Sequence, residues 1–256
     1  MNRFLDVELA AGYKNCSQKI RVMSEDWVKN EICCPKCLKK LVKIKNNTPV
    51  MDFVCSDCDE QYELKSKKNN FGNKIVDGEY SKMIDRISSR NNTNFFFLNY
   101  NGCNYEVTNF FAIPKRFFVP SIIEKRNPLA ITAKRAGWTG CNILTSSLPE
   151  SGKIYYIKEK QVFNIKSVKE SWKKVSFLEA KKDILSTNWI IDVMKCIDRI
   201  KSKEFSLSDI YLFENELQLK YPNNHHIKDK IRQQLQFLRD KKYLEFKSKG
   251  KYKILS

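Results

Sequence analysis

Asp52, Glu63 and Lys65 follow one another as Asp-x10-Glu-x-Lys. Two acids and an amine at that spacing could hold a divalent cation and steady charge on a phosphate. The run Gln61 to Lys65 reads as a strand, and its period of two puts Glu63 and Lys65 on one face and Leu64 on the other. Cys55 and Cys58 lie between the first acid and that strand. If they face each other at a hairpin tip, Asp52 lies across from Gln61 and diagonal to Glu63, about 7–8 Å away. Two carboxylates at that separation can close around one Mg²⁺, whose oxygens sit at about 2.0–2.1 Å. Lys65 beside them would position the attacking water, as base, or stabilise the developing charge. In a chain with 47 Lys+Arg and 29 Asp+Glu, the same spacing also describes an ordinary ion pair on a solvated strand.

The cysteines add an independent signal. Cys34-Pro35-Lys36-Cys37, 17 residues, then Cys55-Ser56-Asp57-Cys58 is the pattern of a four-thiolate structural zinc site. Two disulfides would need an oxidising compartment, and Met1 to Ala11 carries Arg3, Asp6 and Glu8 where a signal peptide has an apolar run. A reducing, cytoplasmic setting is therefore expected. Cys33 competes with Cys34 as ligand, but the Cys-Pro-x-Cys turn favours Cys34. Four sulfurs close the coordination sphere, so this ion would stiffen the turn between the acid-bearing strands and take no part in hydrolysis.

The elements around these residues suggest two domains, 1–182 and 183–256, in 256 residues. Residues 4–13 and 18–30 read as helical pieces, with Ser24 opening a new turn and Glu8 either a further metal ligand or a surface charge. Tyr80, Met83, Ile84 and Ile87 make an amphipathic helix. Asn94 to Tyr100 is a buried strand, turned by Asn101-Gly102 into a second that ends at Pro114. Residues 114–142 are basic and irregular, with Arg135 beside Trp138, a ring that is either a core plug or a presented contact. A strand over 152–161 and a polar connector over 163–182, with Trp172 and Phe177 inward, complete the domain. Cys16, Cys103, Cys141 and Cys196 read as small core residues.

Residues 183–256 read as a winged helix. Ser186 or Thr187 caps the first helix. Ser206 with Asp209 starts a second that runs to Pro222, and Asn223 or Asn224 opens a third. Its apolar face, Ile227, Ile231, Leu235 and Leu238, leaves Lys228, Arg232, Gln233 and Gln236 outward. Strands flank Lys249-Gly250-Lys251 as a basic wing. From Lys220 onward there are 11 basic and three acidic residues. Arg suits guanine and Gln suits adenine in the major groove, which makes Arg232 and Gln233 the candidate readers.

A formal charge of +18 points to a polyanionic partner. Lys outnumbers Arg 37 to 10, a bias that an AT-rich genome also produces. No apolar stretch approaches the ~20 residues that span a bilayer. The two histidines are adjacent, His225 and His226, which argues against nucleases built on separated histidines, and the eight glycines form no phosphate-cradling loop.

The stretches EDWV (25–28), CPKC (34–37), DFVCSDC (52–58), ELKSKK (63–68), NFFFLNY (94–100), AKRAGWTGCNI (133–143) and HIKDKIRQQLQFLRDK (226–241) resemble, in order and over nearly the whole chain, the DpnI family of methyl-directed restriction endonucleases. The resemblance implies an α/β PD-(D/E)xK nuclease domain with an inserted four-cysteine zinc site, and a C-terminal winged-helix domain. It implies Mg²⁺ on Asp52, Glu63 and the main-chain oxygen of Leu64. It also implies cleavage of double-stranded DNA at GATC carrying methylated adenine, with Trp138 near the methyl groups, by a monomer. The alternative from the residues alone is a zinc-ribbon and winged-helix regulator that binds DNA without cutting it.

Overall fold

The structure, a computed structural model, describes residues 1–44, 51–89, 92–180 and 183–255. The chain forms two compact units, Met1–Ser146 with Lys153–Lys173, and Ser147–Gly152 with Lys174–Ser256. Lys181 and Lys182, where the sequence reading ends the first domain, lie outside the described residues. Among the described residues no helix is long and apolar enough to cross a membrane.

In chain order the first unit runs α1 (Cys16–Glu31), β1 (Leu41–Lys43), β2 (Phe53–Cys55), β3 (Gln61–Lys68), β4 (Lys74–Glu79), α2 (Tyr80–Ser88), β5 (Asn94–Tyr100), β6 (Val107–Ile113), β7 (Ile123–Lys125), β8 (Gly140–Leu144), β9 (Ile154–Lys158), β10 (Gln161–Val162) and α3 (Ile165–Val175). Seven strands pair in the order β1-β2-β3-β5-β6-β9-β10, and β4-β8-β7 form a second sheet. β3 and β5 are parallel, joined by β4 and α2, while the other pairs are antiparallel. β5 is the central strand, and all seven of its residues are buried. A strand covered on both faces needs no polar alternation. On one face Phe96 stacks on Tyr62 at 4.4 Å and tilts against Phe110 at 5.2 Å. On the other, Phe97 meets Phe111 at 5.2 Å and Phe71 at 5.3 Å. α1 begins at Asn15, whose side chain accepts the Ser17 N–H at 2.8 Å, and lays Trp27 edge-on to Phe110 at 5.2 Å.

Several expectations are corrected. Residues 4–13 hold only a 3-10 turn at Glu8–Ala10, because Phe4 bridges Glu106 and Leu5 donates to the Tyr105 carbonyl, so sheet pairing overrides local helical preference. Ser24 starts no new turn; it sits inside a continuous α1 with its hydroxyl on the Arg21 carbonyl. Part of the irregular 114–142 stretch is β7 and the start of β8, recruited by β4 into a sheet. The 152–161 strand is two, broken by a turn at Glu159 and Lys160, both at positive φ. The connector is largely α3, whose Val168, Trp172 and Val175 are buried at helical spacing. Cys16 and Cys103 are exposed; only Cys141 and Cys196 of that set are core residues.

The second unit contains α4 (Ile184–Ile200), β11 (Glu204–Ser206), α5 (Leu207–Tyr211), α6 (Glu214–Lys220), α7 (Ile227–Asp240), β12 (Leu244–Ser248) and β13 (Lys251–Ile254). The strands pair as β11-β13-β12. Ser206 and Asp209 form a reciprocal capping box, as their spacing predicts. The cap of α4 is Asp183, which accepts from Ser186 N–H at 2.7 Å and takes the place expected of Ser186 or Thr187. The expected second helix divides into α5 and α6 at Leu212 and Phe213. α7 buries Ile227, Ile231, Leu235 and Leu238 and has His226 at its cap, with Asn224 accepting the His226 N–H.

Phe96 is fully buried between two strands. Phe96→Ala is expected to lower unfolding free energy by about 3–5 kcal/mol in urea titration; a loss under about 1 kcal/mol would contradict the described core.

Candidate active site and metal centre

Each cysteine pair sits on a tight turn. In the first, Cys34 N–H donates to Lys39 O at 2.9 Å and Leu38 N–H returns to Cys34 O at 2.9 Å; in the second, Cys55 N–H donates to Glu60 O at 2.9 Å. These turns need left-handed residues, Leu38 at φ 66° and Asp59 at φ 55°. The four Sγ atoms of Cys34, Cys37, Cys55 and Cys58 lie within 4.8 Å of one another. Cys34 and Cys58 are 3.6 Å apart and Cys37 and Cys55 3.3 Å. A tetrahedral ion with Zn–S of about 2.3 Å needs sulfurs roughly 3.8 Å apart, so the cage fits zinc, and all four cysteines are free of disulfides. Burial pushes the Cys34 thiol up to about 11, a cost that a bound divalent cation offsets by taking the thiolate form. Cys33 stays outside the cage, its carbonyl accepting the Tyr156 hydroxyl at 2.7 Å.

Glu60 ties the two turns to the sheet. Its buried carboxylate accepts from Lys36 at 2.7 Å, Asn94 at 2.9 Å and Lys115 at 3.0 Å. Burial alone would raise its pKa, but Lys36, Asn94 and Lys115 outweigh it and hold the carboxyl below its ordinary range.

The turn sets the register of the two acids. Phe53 pairs with Tyr62 and Val54 with Gln61, so the next residue, Asp52, stands opposite Glu63 and not opposite Gln61. The reason is the knuckle: both cysteine thiols curl into one cage, so Cys55 and Cys58 cannot also be cross-strand partners. Asp52 Oδ2 accepts the Leu64 N–H at 2.7 Å. Burial raises the Asp52 pKa, with Glu63 and Glu25 adding to it, against the Leu64 N–H and Lys65. Glu63 Oε1 accepts from Lys65 at 2.5 Å and Oε2 from Arg86 of α2 at 3.2 Å. Lys65 Nζ also donates to Asp77 of β4 at 2.6 Å. Burial would lower the Lys65 pKa, but Glu63 and Asp77 outweigh it and raise it, so the amine is held as ammonium.

A third acid enters from α1. Glu25 is buried, with Oε1 on Arg21 and Oε2 on Lys43, each at 2.7 Å. It lines an open cleft of about 640 Å³ with Arg21, Asp52, Glu63, Leu64 and Lys68. Glu8 is exposed and takes no part in that cleft. Among the described residues the cysteines form the one cluster of three or more metal-ligating side chains; Asp52, Glu63 and Glu25 make no second such group.

The nucleic-acid candidates fall into both units. Trp138 is half-buried on the loop between β7 and β8, with the Arg135 guanidinium over its ring at 4.7 Å. A Cβ at Gly140 would lie 2.9 Å from that ring, so any larger residue there would have to displace the ring. In the second unit Lys228, Arg232, Gln233 and Gln236 are exposed on α7. Lys228 pairs with Glu214 at 3.1 Å and Arg232 with Asp229 at 2.6 Å. Lys249 and Lys251 are exposed at the β12–β13 hairpin, around Gly250 at φ 74°.

Two family models match this chain: DpnI, the Dam-replacing family, over residues 1–181, and the Dam-replacing HTH domain over residues 186–254. The chain belongs to the DpnI, Dam-replacing family. It therefore has the family's two-domain layout, an N-terminal α/β domain with a four-cysteine cluster and a C-terminal helix-turn-helix domain. Membership implies a restriction nuclease that acts on DNA.

Sequence reasoning missed Glu25, Asp77 and Arg86 in this DpnI-family chain. Glu25 was legible as the partner of Arg21 at i+4. Asp77 shares the inward face of a short strand-like run with the buried Ile75. Nothing in the sequence brings either to Glu63 or Lys65, since these contacts cross between separate elements.

Two outcomes are expected. Purified protein carries one zinc per chain by elemental analysis, and Cys37→Ser or chelation lowers the melting temperature sharply, as for structural sites with apparent binding of about 10–16 kcal/mol. Asp52, with its folded-state pKa raised above the unfolded value, stabilises below that unfolded value and loses the contribution as pH rises through the folded one. Asp52→Asn in Mg²⁺-free buffer near neutral pH should keep or raise the melting temperature; a clear fall would contradict the described burial.

Proposed function

We propose that this protein is a type II, methyl-directed restriction endonuclease that cleaves double-stranded DNA at GATC with methylated adenine, by Mg²⁺-dependent phosphodiester hydrolysis. On this reading residues 1–182 are a PD-(D/E)xK nuclease domain with a structural zinc, residues 183–256 are a winged-helix DNA-binding domain, and the protein acts as a monomer. The observation that carries the reading is the set Asp52, immediately before β2, with Glu63 and Lys65 on β3, Asp52 bonded to the Leu64 N–H and Lys65 to Glu63 at 2.5 Å, in a chain whose residues 1–181 and 186–254 match the DpnI family models.

Asp52, Glu63 and the Leu64 main-chain oxygen would hold Mg²⁺, whose bound form supplies a Lewis acid and an activated water at the scissile phosphate. The donor set is hard oxygen, suited to that ion. Asp52 lies opposite Glu63 and is bonded to the next residue's N–H, that of Leu64, so both acids stand side by side across the β2–β3 pair. Lys65 is ammonium, so its part is to offset charge on the phosphate rather than to take a proton. Its present partners, Glu63 and Asp77, mean that it has to exchange carboxylate for phosphate contacts when DNA binds. Trp138, with Arg135 stacked on it, presents an apolar face to the methyl, worth roughly 25 cal/mol per Å² buried. On α7, Arg232 and Gln233 face outward for base edges, while Lys228 and Gln236 of α7 and Lys249 and Lys251 of the β12–β13 hairpin would meet backbone.

The test is cleavage of plasmid from methylating and non-methylating hosts with Mg²⁺. Only methylated plasmid should be cut. Asp52→Ala should abolish cutting, and Lys65→Ala should slow it by about 10²–10³-fold. Cutting of both plasmids would sink methyl dependence, and cutting of neither would favour a DNA-binding regulator. Separately, Arg232→Ala should cost about 1–3 kcal/mol of binding to the methylated duplex with relaxed specificity, whereas Lys249→Ala should reduce the salt slope by about 1 without changing specificity.

A further inference from the structure

The two clamps on the candidate catalytic pair come from one stretch of chain. Asp77 of β4 holds Lys65 at 2.6 Å, and Arg86 of α2 holds Glu63 at 3.2 Å. β4 runs directly into α2, with no residue between Glu79 and Tyr80. Three further contacts fasten that junction to the Trp138 loop. Glu79 pairs with Gly140 across a bulge after Asp77. The Tyr80 N–H donates to the Thr139 carbonyl at 3.0 Å. Lys125, at the other end of the loop, lies over the Tyr80 ring at 5.6 Å. Thr139 immediately follows Trp138, whose ring packs against Gly140, so displacement of Trp138 strains the segment bonded to the β4–α2 junction.

We propose that residues 74–88 are a relay through which the Trp138 loop sets the position of Lys65 and Glu63, with Asp77 and Arg86 as its positioning residues. The inference rests on the proposed roles of Lys65 and Trp138. Packed elements shift between discrete arrangements rather than bending continuously, so a ring seated on DNA moves the junction as a unit. With the loop empty, Asp77 keeps Lys65 engaged with carboxylates. With the loop seated, the junction moves β4, the Asp77 contact lengthens, and the ammonium turns to phosphate. Methyl discrimination therefore depends on this connection as well as on contact with the methyl.

One substitution removes the backbone bond of the tether and leaves the Glu79–Gly140 pairing and both clamps in place. Tyr80 is the first residue of α2, where proline is tolerated, and Glu79 before it has φ −69° and ψ 130°, a conformation that a following proline accepts. Tyr80→Pro removes both the N–H that reaches Thr139 and the ring under Lys125; Tyr80→Ala removes the ring alone, so the difference between the two variants reports the N–H. Single-turnover cleavage and duplex affinity are measured for the full chain on methylated and unmethylated sites. Tyr80→Pro is expected to shrink the ratio of the two cleavage rates by about 5- to 150-fold, the range of ordinary coupling between sites, with affinity changed under about threefold, while Tyr80→Ala keeps the ratio near wild type. Asp77→Asn should lower the same ratio and Asp77→Glu restore it in part. In the double variant Asp77→Asn with Trp138→Ala, the ratio should fall no further than in Trp138→Ala alone.

A wild-type ratio in Tyr80→Pro and Asp77→Asn, with both folded by circular dichroism, overturns the relay. So does equal loss in Tyr80→Pro and Tyr80→Ala, or additive loss in the double variant. Lys65→Ala reports on the underlying reading: if it cuts like wild type, the role given to Lys65 is wrong whatever the Asp77 and Tyr80 variants do.

Discussion

The register of β2 on β3 is the constraint from which the site follows. A side chain in a strand changes face with every residue, so a slip of one place would send Asp52 away from Glu63. The Cys55–Cys58 knuckle sets that register, because its two thiols must enter the same cage as Cys34 and Cys37. Closing the turn through Cys55 N–H and Glu60 O leaves Phe53 against Tyr62 and, one step on, Asp52 against Glu63. Glu60 then joins the cage to the sheet through Lys36, Asn94 and Lys115. The four-cysteine cage therefore acts at a distance, as a pin on strand alignment.

Charge balance in the site follows a second rule. Glu63 sits between Lys65 and Arg86, and Lys65 between Glu63 and Asp77, all on partly buried side chains. Each buried charge has an opposite partner, which is the condition for keeping ions in a low-dielectric interior. Asp52 is the exception. Its hydrogen-bond partner is a backbone N–H, and among the described residues no cation pairs with it directly; burial raises its pKa, Glu63 and Glu25 add to the rise, and the Leu64 N–H and Lys65 oppose it. On the proposed reading, this is the acid that a bound cation would relieve.

The two sets of residues proposed to meet DNA use different supports. Trp138 rides on a loop whose ends are strands β7 and β8, so it is mounted on a sheet that also carries Asp77. The α7 candidates ride on a helix whose other face is packed into the second unit by Ile231, Leu235 and Leu238. Rigid mounting of this kind reduces the ordering cost of recognition.

Much of this was legible in the residues themselves. Short-range rules acted on neighbouring positions: the two Cys-x2-Cys turns, the Ser206–Asp209 box, the apolar run of β5 and the inward stripe of α7 all appear where spacing puts them. Tertiary structure decided the rest, because the deciding contacts join residues far apart in the chain. The pairing of residues 3–5 with 105–107 prevented the expected helix at the start. The recruitment of β7 and β8 by β4 made a sheet from a stretch with no regular period. Glu25, Asp77 and Arg86 gained their places beside the acids only when α1, β4 and α2 folded against β3. Local pattern specified which groups were present and which faces they occupied; long-range pairing, which no window of sequence contains, specified what each group touches.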